Sequence, residues 1–405
     1  MLKLQQVIKR QILSDLIKEL DKPDVLILIG ARQVGKTHLL NELYKLAESK
    51  KKTVKYFNLE LPLDSRIFNQ DLVYLYEELT SDTDYLFIDE FQYFENASKF
   101  FKAIFDDKKI NTKVIASGSS SLEIHKHLKE SLAGRKKEKI IYPLSFLEYK
   151  QTHDNFNDFL VYGGMPGLSK LNKRHEKIEL LSNLLQTFIL KDVKSLILEE
   201  NVPAFNDLVY LLANYQGQIV SVNNLSNELR LSNRSTEKFL YILEQTFVLH
   251  PLSSFSANLS NEIKKSKKYF LYDLGIRNLL VNNFKNIKDR EDKGQIYESY
   301  VHNFFKQNKP INSELRFWRT RNGEEVDFIY IKDQDIYPVE VKSKLKDMGI
   351  PEGLKKFIRA YDKTIKAFII NENLSGTAKY ENISIEFLTF EELESNKSIK
   401  KILKA

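Results

Sequence analysis

The residues with the plainest chemical potential are Gly30-Ala31-Arg32-Gln33-Val34-Gly35-Lys36-Thr37. The apolar run Val25-Leu26-Ile27-Leu28-Ile29 precedes them, and His38 to Leu46 follows with helical apolar spacing. Strand, glycine loop and helix in that order are the setting of a phosphate-binding loop. Gly30 and Gly35 can take backbone angles closed to other residues, so successive N–H groups can wrap a phosphate. The helix start adds its positive end. Lys36 would reach the β- and γ-phosphates, the Thr37 hydroxyl would hold Mg²⁺, and His38 would border the same pocket. ATP with Mg²⁺ is the ligand this spacing predicts.

A second feature lies some fifty residues on. Tyr85-Leu86-Phe87-Ile88 is an apolar strand that ends in Asp89-Glu90. After a phosphate loop, such a pair suits a magnesium-dependent hydrolase, with Asp89 supporting the metal and Glu90 polarising the attacking water. Lys113-Val114-Ile115-Ala116 is a further strand, closed by Ser117-Gly118-Ser119-Ser120-Ser121. Ser117 or Ser119 would hydrogen-bond the γ-phosphate or that water; the run also reads as a tight Gly/Ser turn.

These groups need a frame. Thr53–Leu59 and Lys139–Tyr142 complete a set of five strands that alternate with helical segments, which implies a parallel sheet with function at the strand C-termini. Residues 2–20 pattern as an amphipathic helix closed by Pro23. The 405 residues are 42% hydrophobic and 29% charged, enough for two or three globular domains. There is no cysteine, which excludes disulfides and cysteine-based zinc sites. No apolar run nears the ~18 residues of a membrane span, and the N-terminus lacks a signal-peptide core. A cytoplasmic protein without a membrane partner is expected. The net charge of +7 permits an anionic partner such as nucleic acid.

Phosphate loop, Asp-Glu strand and polar residues after the next strand together resemble the AAA+ ATPases. That family carries an arginine toward a neighbouring subunit just before the fifth strand, where Leu132-Ala133-Gly134-Arg135 stands. Taken alone, Arg135 in Arg135-Lys136-Lys137 reads as a solvated surface residue. The resemblance implies a homo-oligomer such as a hexamer, with Arg135 completing a partner's site. More specifically, the chain resembles a prokaryotic family of ATPases with a C-terminal domain of unknown function, through the phrases at 30–37, 87–90, 117–119, 132–135, Tyr272–Asn278, 325–328 and 339–342.

Residues 151–215 pattern as a helical lid. In related ATPases a Gly-x-Pro turn at its head lies beside the nucleotide; Gly164-Met165-Pro166 fits, and also reads as a plain loop. Lys191 and Asp192 fall mid-helix with no assigned role. Residues 218–272 read as a winged helix: helix 222–229, a second helix capped by Ser232 with Asn233, Arg234, Ser235, Thr236 and Lys238 on its polar face, then two strands around Lys264-Lys265-Ser266-Lys267-Lys268. Such a module reads DNA, or serves as an ATPase lid or protein-docking unit. Residues 281–294 are polar and read as a linker.

The last segment resembles the PD-(D/E)XK nuclease core. Asp327 and Glu340 end adjacent strands and would bind Mg²⁺ with Glu298 from the preceding helix. Lys342 shares Glu340's strand face by the period of two and would orient water. The fold class expected is α/β: a P-loop AAA+ parallel sheet (1–150), helical lid (151–215), winged helix (216–282) and PD-(D/E)XK-like domain (283–405). The function expected is ATP hydrolysis by a protein acting on DNA, with a possible metal-dependent nuclease. The alternative is a nucleotide-driven switch whose C-terminal domains bind a protein partner.

Overall fold

The computed structural model describes residues 8–119, 132–187, 196–256 and 267–403. Its first sheet joins β1 (Val25–Ile29), β2 (Val54–Asn58), β3 (Tyr85–Asp89), β4 (Lys113–Gly118) and β5 (Lys136–Ile140). All five are parallel, in the order β2-β3-β4-β1-β5. β1, β3 and β4 are buried along their whole length, which is why they are apolar runs rather than alternating ones. Leu26, Leu28, Phe87 and Ile115 face the helix Lys36–Ser49; Ile27, Ile88, Val114 and Ala116 face the helix Ala97–Asp106. Because the strands run one way, Gly30, Asp89-Glu90 and Ser117 all emerge at one edge of the sheet.

Two expectations shift here. Apolar content points to a fifth strand at 139–142, but β5 starts at Lys136 and pairs only with β1. It is a charged edge strand, and charged side chains suit an edge. Likewise the N-terminal helix covers only Leu13–Glu19 within the described residues. Arg10 lies just before it. It is buried, its guanidinium donates to Val34 O and Tyr142 O at 2.8 Å each, and its Nε lies 3.2 Å from Glu148 Oε2. These anchors tie the segment before the helix to the phosphate loop and to Glu148.

The second sheet is small and antiparallel: β6 (Ile219–Val220), β7 (Leu249–Leu252) and β8 (Lys267–Leu271), in the order β6-β8-β7. Between β6 and β7 lie the helices Val222–Leu229 and Asn233–Gln245, capped by the Ser221 and Ser232 side chains. Thr236 is not on the polar face. It is fully buried and accepts from Ser226 Oγ at 3.0 Å, joining the two helices.

The third sheet holds β9 (Ser313–Arg319), β10 (Glu325–Lys332), β11 (Asp335–Val341), β12 (Lys366–Asn371), β13 (Gly376–Tyr380) and β14 (Ile383–Thr389), in the order β13-β14-β12-β11-β10-β9. The helix Lys293–Asn308 packs Val301 and Phe305 on one face against Phe328 and Phe368. The helix Glu352–Ala360 packs Leu354 and Phe357 on the other against Val326 and Ile369. The expected linker is packed as well: Phe284 stacks on Tyr162, and buried Arg290 donates to Asp292 Oδ1 at 2.8 Å. One hydrophobic cluster runs unbroken from Leu28 and Phe87 through Phe205 and Leu243 to Phe368 and Leu403. No described helix is long and apolar enough to cross a membrane.

Arg10 gives a test of this frame. Replacing it by Leu leaves Glu148 buried without its charged partner, a loss of about 3–5 kcal/mol. Urea unfolding of Arg10→Leu should show that drop; a loss below about 1 kcal/mol would mean that Arg10 is not an anchor.

Candidate functional site

The loop between β1 and the helix Lys36–Ser49 is shaped by steric limits. A Cβ on Gly30 would stand 2.3 Å from Ile141 O, so only glycine lets the loop leave β1 there. Gly35 sits at φ +99 and caps the helix, a left-handed turn that glycine takes freely. Lys36 is buried, and its Nζ donates to Gly30 O at 3.0 Å and Ala31 O at 2.9 Å. Arg32, Gln33, Gly35, Lys36 and Thr37, with Glu60, Glu90 and Thr187, line a cleft of about 360 Å³. Ala31 and Val34 turn inward instead and are buried. His38 is half-buried, and burial holds its pKa below the ordinary value.

Asp89 lies across the sheet edge from this loop, and β4 sits between β3 and β1. Its carboxylate accepts the Ser117 hydroxyl on Oδ1 and the Tyr56 hydroxyl on Oδ2, the latter at 3.2 Å. Glu90 has left-handed backbone at φ +55, a geometry that aims a residue out of a strand end. Its Oε2 accepts from Gln92 Nε2 at 2.5 Å and Ser119 Oγ at 3.3 Å. Ser117 thus meets Asp89 and Ser119 meets Glu90. Ser120, Ser121, Lys191 and Asp192 lie outside the described residues. The cleft has the size of a triphosphate, with the phosphate loop and Lys36 lining it together with the carboxylates of Glu60 and Glu90. Thr37 and Asp89 are the groups that could hold its Mg²⁺.

The lid turn reaches the same place. Pro166 Cγ would stand 3.9 Å from a Cβ on Gly35. Leu144 N donates to Gly164 O at 2.7 Å, while Gly164 N donates to Asp273 Oδ2 at 2.8 Å. Asp273 is buried and also accepts from Ile276 N at 3.1 Å. A Cβ on Gly163 would stand 2.3 Å from Asp273 Oδ1, so glycine is required. From the helix Leu274–Leu280, Asn278 Nδ2 donates to Leu160 O and Val161 O at 3.0 and 2.9 Å. Arg277 donates to Ala213 O at 3.1 Å, to Gln295 and to Asp292. Tyr272–Asn278 therefore joins the turn at 163–166 to the C-terminal half. Its residue types carried the resemblance, but only the fold gives them partners.

Arg135 is remote from this cleft. It stands where β5 begins, with Val25 N donating to its carbonyl, at the sheet edge opposite Gly30. Its Nε donates to Asp106 Oδ1 at 2.7 Å, and the pair is partly exposed.

The C-terminal acids form a separate cluster. Asp327 Oδ2 accepts from Val341 N at 2.8 Å. Lys342 Nζ, just past the end of β11, donates to Glu340 Oε1 at 2.5 Å. Burial raises the pKa of Glu298, Asp327 and Glu340, and the neighbouring Asp327 raises those of the two glutamates further. Yet among the described residues no group of three His, Asp or Glu side chains is arranged to hold a metal ion. The three acids are neighbours, and Lys268 enters beside them. Rather than lying on an exposed wing, Lys268 is buried, 2.6 Å from Glu325 Oε1 and 3.5 Å from Glu298 Oε2. Lys264 and Lys265 lie outside the described residues. Beside the second sheet, Arg230 in the turn between the helices and Asn233, Arg234 and Lys238 on the second helix are exposed.

Known proteins bear on this geometry as follows. Residues 22–150 match the family described as AAA domain, 153–287 match Domain of unknown function (DUF8612), and 293–389 match Domain of unknown function (DUF4143). An uncharacterized protein of Methanocaldococcus jannaschii is 26% identical over 96% of this chain and 86% of its own. One of Mycobacterium tuberculosis is 23% identical, covering 82% of this chain and 74% of its own. Among solved structures, AMPPCP-bound DnaA from Aquifex aeolicus is 15% identical over 57% of this chain and 86% of that one, with a TM-score of 0.31. The AAA match supports ATP binding and a nucleotide-hydrolysing role in general.

Asp273 yields a pH test. Burial pushes its carboxyl from the ordinary 3.8 up to about 6. The folded chain then holds this proton more tightly than the unfolded chain. Its contribution to stability is complete below about 4 and is lost as pH rises through 6. The stability difference between the parent and Asp273→Asn, followed by urea unfolding from pH 4 to 7, should shrink across that window; a constant difference would contradict it.

Proposed function

We propose that the chain is a Mg²⁺-dependent ATPase that acts on DNA. One observation carries the first part: a polyanion-sized cleft with Lys36 and Thr37 on one side and Glu90, hydrogen-bonded to Gln92 and Ser119, on the other. Lys36 would exchange its loop carbonyls for phosphate oxygens. Thr37 and Asp89 would hold Mg²⁺, which neutralises charge on the phosphates. Glu90 would take the proton of the attacking water, with Ser119 and Gln92 fixing its carboxylate. Ser117 and Tyr56 orient Asp89. Pro166 would close the cleft from the lid.

Arg135 is proposed to serve a neighbouring copy in a homo-oligomer such as a hexamer. Its position away from its own cleft supports that role, and a solvent-screened pair with Asp106 is no obstacle to release. The DNA part rests on the helix-turn-helix layout, read as a winged helix, with Arg230, Arg234 and Lys238 on its open side. The fold of β9–β12 with its flanking helices is likewise read as nuclease-like.

Phosphate release from Mg·ATP tests the ATPase reading. Lys36→Ala should lose nucleotide binding. Glu90→Gln should bind ATP yet turn over at least about 100-fold more slowly; parental turnover in Glu90→Gln would refute the water-activating role. For DNA, Arg234→Glu/Lys238→Glu should weaken binding on all sequences and reduce the salt slope by about 2. An unchanged slope would assign this module to protein contacts.

A further inference from the structure

Lys268 belongs to β8 of the helix-turn-helix module, yet its ammonium lies inside the C-terminal domain's acid cluster. It is 2% exposed, 2.6 Å from Glu325 Oε1, 3.5 Å from Glu298 Oε2 and 5.5 Å from the Phe317 ring centre. The approach is prepared on the module's side. Gly217 is at φ +76, and a Cβ there would press to 3.2 Å from Glu298 Oε2. Glu298 Oε2 thus faces the module, while its carboxylate stays a neighbour of Asp327. On the far side, Glu340 is 4% exposed, and its Oε2 has no hydrogen-bond partner among the described residues. Four carboxylates, Glu298, Glu325, Asp327 and Glu340, therefore lie around the ammonium groups of Lys268 and Lys342, and two buried oxygens, Glu298 Oε2 and Glu340 Oε2, have no hydrogen-bond partner among the described residues. Buried carboxylates at this density need a cation.

We propose that Lys268 is a built-in substitute for a divalent cation: its ammonium plugs the C-terminal acid cluster, which accepts a metal ion only when the ribbon carrying Lys268 withdraws. The ammonium and a metal ion exclude each other, because both would stand among the same oxygens and repel. A contact that moves the helix-turn-helix module would then expose the acids, and docking of the module would silence them. This rests on reading those acids as a cation site and is independent of ATP turnover.

Nucleotide-free full-length chain is titrated with MnCl₂, following free Mn²⁺ by electron paramagnetic resonance and stability by thermal melting. The parent should take up no Mn²⁺ at this cluster, and its melting temperature should stay unchanged. Lys268→Met, which keeps the stem and removes the charge, should melt about 5–15 °C lower. It should bind one Mn²⁺ and recover most of the loss in its presence. Lys268→Met/Asp327→Asn should neither bind nor recover. Where the Met variant does not purify, Lys268→Gln carries the same expectations. Stoichiometric Mn²⁺ binding by the parent that is lost in Asp327→Asn would overturn the proposal, as would a Lys268 variant that gains neither binding nor thermal recovery. Cleavage of DNA is not the readout, so an inactive nuclease fold leaves the test intact.

Discussion

A buried carboxylate must find its donors inside the protein, and Asp273 finds them in two places at once. Gly164 N comes from the lid turn and Ile276 N from the start of the next helix. The first donor can approach only because Gly163 and Gly164 have no side chain. That one requirement fixes the height of Pro166 over Gly35. It also sets the direction of the helix Leu274–Leu280, which delivers Arg277 to Ala213 and Asn278 to Leu160. An unpaired buried charge would cost several kcal/mol, so lid, phosphate loop and C-terminal half are held in one arrangement. Anything that moves the lid turn pulls on Asp273.

The two buried lysines differ in what holds them. Lys36 rests on backbone carbonyls of its own loop. Neutral acceptors bind an ammonium less strongly than charged ones, by roughly twofold, so phosphate oxygens can replace them. Lys268 rests on the half-buried carboxyl groups of Glu325 and Glu298, and its release must leave those acids another cation. The phosphate loop is poised for exchange; the C-terminal cluster is latched.

Much of the first sheet was legible because a parallel strand buried on both faces must be apolar, and β1, β3 and β4 are. The phosphate loop was legible because its geometry admits few residues. What local pattern could not reveal are partners distant in sequence. Arg10 meets Glu148 across 138 positions, and nothing near Arg10 announces that it will be buried. Lys268 looked like a solvated wing lysine because its neighbours are lysines, and only the third sheet supplies Glu325. The charged strand β5 was hidden by its composition, and β12 to β14 went unassigned because no chemistry drew attention to them. Asp327, Glu340 and Lys342 were placed on a common hairpin by their period, but no periodicity could show that an ammonium from another module would join them.

Hydrogen–deuterium exchange on the full-length Glu90→Gln chain, with and without Mg·ATP, addresses the coupling of nucleotide site, lid and joint most directly. Slower exchange is expected at residues 30–37 and 163–167 and, without any contact to nucleotide, at 273–280. Protection that stops at the phosphate loop and leaves 273–280 unchanged would contradict a cleft that reports its state through Asp273.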